Sequence, residues 1–399
     1  MSKILLVLAA SVYQLPAIQT AKKMGYQVIT VDNRPDNPGH DLADRSYYVD
    51  TTDCKSILSL AKKEHISGII APATDVAVST AAYVSQRMQL PGIPFDSAVL
   101  LTNKKIFRQF LQKQNIPSPE ALESDGMLDE VNFDADRMWI VKPAVSSGSK
   151  GVFIVRDKEE LYSRLATSQA ISLDGCAVLE EYIEGTQHTC EGILNQGKVC
   201  FALITDRDTA PSPYVTTIGH RVPSRLSLSL QSQTIQRIEE IFTLLDVHSG
   251  PFDCDFVVKD MQVIILEMTP RLGGNSLSRL VQTALGIDLV AYSVAHACGD
   301  IYDINISDIN ISQQIQPAAI VLFGVWQRGR LTWDDEAECE MLKEDWVKYL
   351  SFDVSQGAFV EPFINGRYRV GEALICADTR DELDRRVQIC VDRLSLHSR

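Results

Sequence analysis

The sequence has few of the features that mark nucleic-acid-binding, zinc-binding or disulfide-stabilised proteins. Acidic residues outnumber basic ones, 52 to 38, and the net charge of −14 argues against nucleic acid as a partner. None of the nine cysteines belongs to a C-x-x-C pair, so there is no zinc signature. Scattered cysteines are typical of a reducing compartment, and we therefore expect a cytoplasmic protein.

Long apolar runs are also missing. The run Ile4–Ala10 is much shorter than a membrane span and is soon followed by polar residues. We interpret it as a β-strand and not as a signal peptide, and we expect no membrane partner. The turn Ala9–Tyr13 lacks the glycine fingerprint of dinucleotide-binding folds, which argues against that class.

Strand-like and helix-like segments alternate in the N-terminal part of the chain. The strand-like segments are Ile4–Leu8, Gln27–Val31 and Gly68–Ile70, and the helix-like segments are Leu15–Met24, Ser56–Glu64 and Asp75–Met88. This alternation predicts a parallel sheet with right-handed crossovers. A break at Leu90–Pro94 ends the pattern, and we predict an α/β domain over residues 1–101.

A second unit is predicted over residues 102–300, and its most distinctive loop follows Lys142. The small residues of Ala144–Val152 lie between two predicted strands, Trp139–Val141 and Phe153–Val155. This arrangement predicts a hairpin loop whose N–H groups and hydroxyls face phosphates, with a plain flexible hairpin as the alternative. A Walker A loop is excluded because that loop opens a helix.

The remaining predicted elements are more ordinary. They are a strand at Ala177–Leu179, strand pairs at Thr189–Leu194 with Lys198–Ile204 and at Gly250–Val258 with Met261–Leu266, and helices at 102–114, Ser229–Leu245, Leu277–Gly286 and Leu289–Cys298. We predict a long loop over Thr205–Arg225, and long loops are usually functional or mobile. After Gly299, three strand-like segments and a closing amphipathic helix predict a C-terminal α+β unit over residues 301–399.

The stretch Val263–Asn275 contains several residues that are suited to binding a metal ion or an anion. A buried strand ends there in Glu267, followed by Arg271 and two glycines. A carboxylate at the end of a buried strand is costly unless a cation meets it, and Mg²⁺ is the usual cation near phosphates. Arginine offers a planar donor fork for phosphate or carboxylate, and glycines let N–H groups approach an anion. An ordinary strand end with a surface turn is the alternative.

Together, Lys104, Lys142, the small-residue hairpin and the carboxylates of Asp255 and Glu267 follow one another in an order that resembles the ATP-grasp superfamily. The resemblance implies a parallel pre-ATP-grasp α/β domain followed by an ATP-grasp fold, with a lid over about 117–181 and a C-terminal α+β subdomain. It is similar to carboxylate–amine (amino-acid) ligases in particular, and also to a single synthetase half of carbamoyl-phosphate synthetase.

The resemblance also implies roles for individual residues. The nucleotide would be held by Lys104, Lys142, Ser146, Ser147, Gly148, Ser149, Glu180, Glu181, Ile183 and Gln187. Asp255 and Glu267 would hold Mg²⁺. Arg271, Gly274 and Lys142 would be catalytic, and His220, Arg271, Gly274 and Asn275 would contact substrate. His220 lies in Gly219–Ser224, which looks like the substrate loop of amino-acid ligases; a solvent-facing loop histidine is the alternative.

Two positions depart from the family pattern. The family usually has a glutamate on the ribose hydroxyls where this chain has Gln187, which loses charge-assisted strength, and Glu191 is a candidate substitute. The second metal ligand is usually Asn, and here it is Thr269, so either its hydroxyl or a water would fill that place. The number of bound metal ions therefore stays open.

The favoured function is an ATP-dependent ligase that joins a carboxylate to an amine through an acyl-phosphate. The alternatives are an ATP-dependent carboxylase, carbamoyl-phosphate-type activation of bicarbonate, or a non-catalytic nucleotide-binding module. The expected cofactors are ATP and Mg²⁺, with Mn²⁺ as an alternative metal. The expected partners are small-molecule carboxylates and amines, whose identity the sequence does not give, and the oligomeric state stays open, with a homodimer as one option.

Overall fold

The computed structural model of the protein describes residues 2–122, 134, 137–211, 214–302 and 315–399. These residues form four β-sheets with helices packed against them. Most of residues 120–136, within the predicted lid, and most of 301–316 lie outside the described residues.

The N-terminal part is the predicted parallel α/β domain. Its elements are β1 (Ile4–Leu8), α1 (Leu15–Lys23), β2 (Gln27–Val31), α2 (Gly39–Leu42), β3 (Arg45–Tyr47), α3 (Cys54–Glu64), β4 (Gly68–Ile70), α4 (Val78–Met88) and α5 (Phe95–Thr102). The strands pair in parallel in the order β3-β2-β1-β4. Sequence analysis missed the short elements β3 and α2 as well as α5.

A smaller antiparallel sheet carries the hairpin that was predicted to face phosphates. Its elements, after α6 (Lys104–Lys113), are β5 (Ala121–Leu122), β6 (Trp139–Pro143), β7 (Phe153–Val155), α7 (Lys158–Ile171) and β8 (Ala177–Glu181), with strand order β5-β8-β6-β7. The hairpin between β6 and β7 is confirmed. Helix α7 was not predicted; it buries Leu161 and Leu165 against the sheet.

The largest sheet has eight strands and spans most of the remaining chain. The elements are β9 (Thr186–Asn195), β10 (Lys198–Thr209), β11 (Thr217–Val222), α8 (Leu228–Leu244), β12 (Gly250–Lys259), β13 (Gln262–Thr269), α9 (Leu277–Leu285), α10 (Leu289–Ala297), β14 (Ala318–Phe323), β15 (Gly329–Thr332), α11 (Asp335–Met341), β16 (Val347–Phe352), β17 (Phe359–Val360), β18 (Gly371–Cys376), α12 (Arg380–Leu394) and β19 (His397–Ser398). The eight-stranded order is β13-β12-β9-β10-β11-β14-β18-β16, and β17-β15-β19 form a separate small sheet.

The predicted long loop over Thr205–Arg225 is wrong. Strand β10 continues to Thr209, and β11 returns antiparallel to it, so His220 lies in a strand. The charges that suggested a loop have partners elsewhere in the fold: Arg207 meets Asp255, and Arg221 meets Asp384.

Helices pack on both faces of the large sheet, and one face also carries a strip of polar side chains. On one face α6 and α8 bury Phe107, Ile241 and Phe242 against strand residues such as Phe252 and Phe256. Helix α9 packs on the other face, beside the strip that carries the carboxylates. The sheet includes β14, β16 and β18, so it crosses the boundary predicted at residue 300.

Within the described residues, no single helix has both the length and the apolar character needed to cross a bilayer. Helices α9 and α10 satisfy the criterion only as a pair, and their axes meet at 117°.

Candidate active site

The carboxylates predicted to bind metal are brought together by strand register. Asp255 in β12 lies directly opposite Glu267 in β13 and opposite Thr189 in β9. Directly opposed residues of neighbouring strands project from the same face of the sheet, so these side chains form one row. Lys104 links this row to the β6–β7 hairpin, because its Nζ donates to both Glu267 and the Ser146 carbonyl, and the space between the row and the hairpin is called the cleft.

Each of these carboxylates has its own cation. Glu267 accepts a hydrogen bond from Lys104 Nζ at 2.8 Å, and Asp255 accepts one from Arg207 Nη1 at 2.8 Å. Thr189 Oγ1 also donates to Asp255, at 2.5 Å. Burial alone would raise the pKa of Glu267, but Lys104 outweighs burial and lowers the pKa to about 2. Both carboxylates are therefore held in place by cationic side chains from other elements.

The donor set fits one Mg²⁺ ion completed by phosphate oxygens. Mg²⁺ is typically bound by one or two carboxylates, with substrate phosphates and water filling its other positions. The hydroxyl of Thr269 is buried and has no hydrogen-bond partner among the described residues. Thr269 lies two residues beyond Glu267 in β13, opposite Asp253. Within the described residues, no group of three or more His, Cys, Asp or Glu side chains could hold a metal, so a site made only of protein ligands is not indicated.

The two lysines predicted to bind phosphates reach the cleft from different elements. Lys104 begins α6, which Asn103 caps through its side chain, and it also donates to the Ser146 carbonyl at 3.2 Å. Lys142 lies in β6 and donates to Glu180 of β8. Burial and the neighbouring Arg108 lower the pKa of Lys142, although the Glu180 carboxylate opposes this shift.

The small-residue hairpin lies next to both the first lysine and the C-terminal part of the chain. Gly148 and Ser149 have φ values of +68° and +57°, and Gly148 is placed where glycine avoids strain. The carbonyl of Gly148 accepts a hydrogen bond from the N–H of Gly366 at 3.0 Å. Together with the hydrogen bond from Lys104 Nζ to the Ser146 carbonyl, this bond holds the hairpin beside the cleft.

The residues predicted to contact adenine and ribose lie in or near strands β8 and β9. Some of their polar groups already have hydrogen-bond partners within the protein. Glu180 is bound by Lys142 and Arg108, and the N–H of Glu181 donates to the Glu120 carbonyl at 2.9 Å. That N–H is therefore engaged within the protein, and contacts of adenine with the backbone of Glu181 and Ile183 and with Glu180 stay predictions. Ile183 is buried beside Val257 and Ile264 near this end of the cleft.

Glu191 is not a substitute for the ribose contact of Gln187. Both of its carboxylate oxygens accept the Gly273 N–H, at 3.0 and 3.2 Å. Burial raises the pKa of Glu191 to about 7. A Cβ on Gly273 would come within 2.5 Å of Glu191, so glycine is required there for this close approach.

Arg271 lies at the junction with the N-terminal domain. Its Nε donates to Asp75 Oδ1 at 2.8 Å, and Nη1 donates to the Leu272 carbonyl at 2.9 Å. Burial would lower the pKa of Arg271, but Asp75 and Asp253 outweigh burial and raise it, so the fork stays charged. Asp75 follows β4, and no role for it was predicted from the sequence.

The loop after Arg271 has open space beside Gly274. A Cβ on Gly274 would meet nothing within 4 Å, so there is open space on that side. Asn275 and Ser276 both have positive φ values, +52° and +58°. Such strain in non-glycine residues is frequently retained at functional sites.

His220 is neither on a loop nor exposed to solvent. It is buried, its Nδ1 lies 3.0 Å from Thr205 Oγ1, and its Nε2 has no partner among the described residues. Burial, with Arg207 nearby, lowers its pKa to about 3, so the ring is neutral at pH 7. It lies on the same face of the sheet as Asp255, with strands β9 and β10 between them.

The site also contains three residues that were not predicted from the sequence: Asp75, Arg108 and Arg207. Arg108 could have been found, since it lies four residues after Lys104 and so on the same helix face. Arg207 was hidden by the interpretation of its strand as a loop. Asp75 was read as the start of a helix, and only the fold brings it to Arg271.

Comparison with known proteins agrees with this geometry. Residues 136–279 match a family model described as ATP-grasp domain. The chain is similar to a formate-dependent phosphoribosylglycinamide formyltransferase of Haloquadratum walsbyi, with 24% identity, covering 84% of this chain and 82% of that protein. It is also 24% identical to uncharacterized protein y4rH of Sinorhizobium fredii over 63% of this chain, a match that spans only 54% of that relative.

Solved structures extend the similarity to the whole chain. An L-amino acid ligase of Bacillus licheniformis superposes with a TM-score of 0.83 at 19% identity, covering 100% of this chain and 98% of that one. At this identity the superposition establishes the fold. Residues 136–279 therefore resemble an ATP-grasp domain, and the chain as a whole has the same fold as that L-amino acid ligase.

Proposed function

We propose that the protein is an ATP-dependent ligase that joins a carboxylate to an amine through an acyl-phosphate and releases ADP and phosphate. One observation carries this proposal: two lysines, a glycine-containing hairpin, two facing carboxylates and a charged arginine fork converge on one cleft. These are the groups that phosphoryl transfer to a carboxylate requires, and no nucleophilic side chain is needed.

Nucleotide binding is assigned to the lid side of the cleft. Lys104 and Lys142 would neutralise the phosphates, while residues 146–149 would cover them. Glu180, Ile183 and Gln187 lie toward the end of the cleft assigned to adenosine. The buried position of Lys142 supports this assignment, because an ammonium in a low-dielectric site attracts phosphate strongly.

Mg²⁺ is assigned to Asp255 and Glu267. When bound there, it would neutralise charge on the phosphate oxygens during transfer. Lys104 and Arg207 hold these two carboxylates in the described state. The number of ions depends on whether the free hydroxyl of Thr269 takes part.

The chemistry proceeds in two displacements. A carboxylate oxygen of the first substrate bonds to the γ-phosphorus of ATP as the bond to ADP breaks. The amine nitrogen of the second substrate then bonds to the acyl carbon, loses a proton, and phosphate leaves. Arg271 and the Gly274 N–H are assigned to the negative charge on the γ-phosphate and then on the tetrahedral oxygen.

The substrates are assigned to the cleft between Arg271 and the edge of the N-terminal sheet. Ligands of open parallel sheets bind outside the carboxyl ends of the strands, and Asp75 reaches Arg271 from that edge. Names of related proteins support small-molecule substrates: carnosine synthase 1 of Homo sapiens is 23% identical over 74% of this chain and 40% of its own length.

A phosphate-release screen tests the proposal. Purified protein with ATP and Mg²⁺ is offered pairs of carboxylates and amines, including amino acids and amino or carboxylated sugars. We expect phosphate and ADP to appear only when both partners of a productive pair are present. Release with bicarbonate alone would instead favour bicarbonate activation, and ATP binding without turnover for any pair would favour a non-catalytic module.

A further inference from the structure

Arg108 is a buried charge for which the proposed chemistry has no role. Only 1% of the residue is exposed, and it lies one helical turn after Lys104 in α6. Its guanidinium donates to Glu180 Oε2 at 3.1 Å, to the Ile265 carbonyl at 2.9 Å and to the Leu266 carbonyl at 2.8 Å. Since all of these partners are protein groups, Arg108 is not placed to contact a ligand.

Glu180 is shared between two cations. Arg108 holds Oε2, and Lys142 holds Oε1. Burial would raise the pKa of Glu180, but Arg108 and Lys142 outweigh burial and lower it, so the carboxylate is charged. A charged buried carboxylate is strongly destabilised when it loses its counter-ion.

ATP binding requires one of these cations to change partner. Lys142 is the one assigned to phosphate oxygens, and it must leave Glu180 Oε1 or share it. Arg108 is anchored by two carbonyls of β13 next to Glu267 and has no such freedom. After the exchange, Glu180 would still be neutralised and its Oε1 would be free to accept the adenine amino group.

We propose that Arg108 is a positioning residue, the permanent counter-ion of Glu180 that allows Lys142 to exchange this carboxylate for the phosphates of ATP. The inference rests on the proposed ATP-binding function. It also explains why α6 carries two cations at four-residue spacing: Lys104 serves the metal-side carboxylate, and Arg108 serves the lid-side carboxylate.

Binding of ATP and of adenosine, measured by calorimetry with Mg²⁺, separates this role from a structural one. In Arg108→Met, Lys142 becomes the sole counter-ion of Glu180, so we expect ATP affinity to fall about 10- to 100-fold. Adenosine has no phosphates for Lys142, and we expect its affinity to change less than about 3-fold. Arg164→Met, a change at a half-exposed lid arginine, is the matched control and should leave both affinities unchanged.

A second pair of variants keeps the test decisive if Arg108→Met folds poorly. Arg108→Met combined with Glu180→Gln has no carboxylate to neutralise, so we expect it to bind ATP more tightly than the single Arg108 variant. Arg108→Lys keeps the charge and should retain most of the ATP affinity. Parallel losses for ATP and adenosine, or no rescue by Glu180→Gln, would overturn the inference for Arg108. A wild-type protein that binds no ATP would overturn the proposed function itself.

Discussion

Charges in the cleft are arranged as pairs whose members come from distant parts of the chain. Lys104 meets Glu267, Arg207 meets Asp255, and Asp75 meets Arg271. Sequence reasoning identified four of these six residues because they follow strands or open a helix. It could not supply Asp75 and Arg207, since nothing local to either residue indicates its partner.

Glu267 is the residue on which the metal assignment depends most. Glu267→Gln keeps the shape of the side chain but removes one negative charge beside the γ-phosphate, so we expect kcat to fall by at least about 10²-fold. The measurement is steady-state turnover at saturating Mg²⁺, with circular dichroism to verify folding. Asp260→Asn, at the turn of the same hairpin, is the control and should turn over normally. Near-normal turnover of Glu267→Gln would remove this residue from the metal site.

The buried His220 predicts a specific dependence of stability on pH. Its folded pKa of about 3 lies below the ordinary value of about 6.5, so the unfolded chain gains a proton first as the pH falls. This residue should therefore cost up to about 1.4 kcal/mol of unfolding free energy per pH unit below about pH 6.5. Its contribution is constant above that pH.

Urea unfolding at several pH values tests this expectation. We expect His220→Asn, which preserves a partner for Thr205, to lose less stability than the wild type between about pH 6.5 and 4.5. The exposed His248, replaced in the same way, should leave the wild-type slope unchanged. Equal slopes for His220→Asn and the wild type would mean that the ring titrates normally in the folded protein.

At the scale of elements, local pattern predicted most strands and long helices but failed where charges sit inside a strand. Asp206, Arg207 and Asp208 suggested a loop, yet all three lie in β10. Their partners are Arg380, Asp255 and Arg221, which become neighbours only after folding. A charged strand is stable when its partners come from other elements, and a single sequence does not show them.

The hairpin between β6 and β7 is the element expected to respond to nucleotide. It contains Gly148 and Gly151 at positive φ, and its bond to Gly366 is a single backbone contact. Loops that close over phosphates exclude water and become ordered on binding. We expect amide hydrogen exchange at 145–151 to slow when a non-hydrolysable ATP analogue binds.

The turn at Gln196–Gly197 serves as an internal reference for that experiment. It joins β9 to β10 at the end of the sheet beyond the core residue Leu194, and its exchange should be unaffected by the analogue. Unchanged exchange at 145–151 under conditions where the analogue binds would exclude this hairpin from the phosphate site.

At the scale of the whole molecule, the C-terminal part completes the eight-stranded sheet. Strand β14 pairs with β11, and β18 pairs with β14, so the sheet continues from the carboxylate row to Glu372. Glu372 in turn accepts from Ser276 beside the Gly273–Gly274 turn and from Arg369. The sequence predicted these strands correctly, but their place in the large sheet depends on pairing between distant segments, which local pattern does not encode. The boundary predicted at residue 300 stays a prediction, and the large sheet contains strands from both sides of it.

Arg271 connects the N-terminal domain to the row of carboxylates, and its planar fork is the feature to test. Arg271→Lys keeps the charge but loses the fork, so we expect turnover to fall about 10²- to 10³-fold. An interaction made mainly in the transition state lowers kcat and kcat/KM together, while ATP affinity changes less. A loss confined to ATP affinity would place Arg271 on the nucleotide and not on the reacting carboxylate.

The fate of the carboxylate oxygen decides the order of chemistry. If Arg271 and Gly274 serve an acyl-phosphate, one oxygen of the carboxylate substrate must leave with the phosphate. With a productive substrate pair and an ¹⁸O-labelled carboxylate, we expect label in the released phosphate, detected by mass spectrometry. Unlabelled phosphate during steady amide formation would exclude the acyl-phosphate route. Release of pyrophosphate in that case would indicate an adenylate, and Lys104, Lys142 and Arg271 would then act on the α-phosphate.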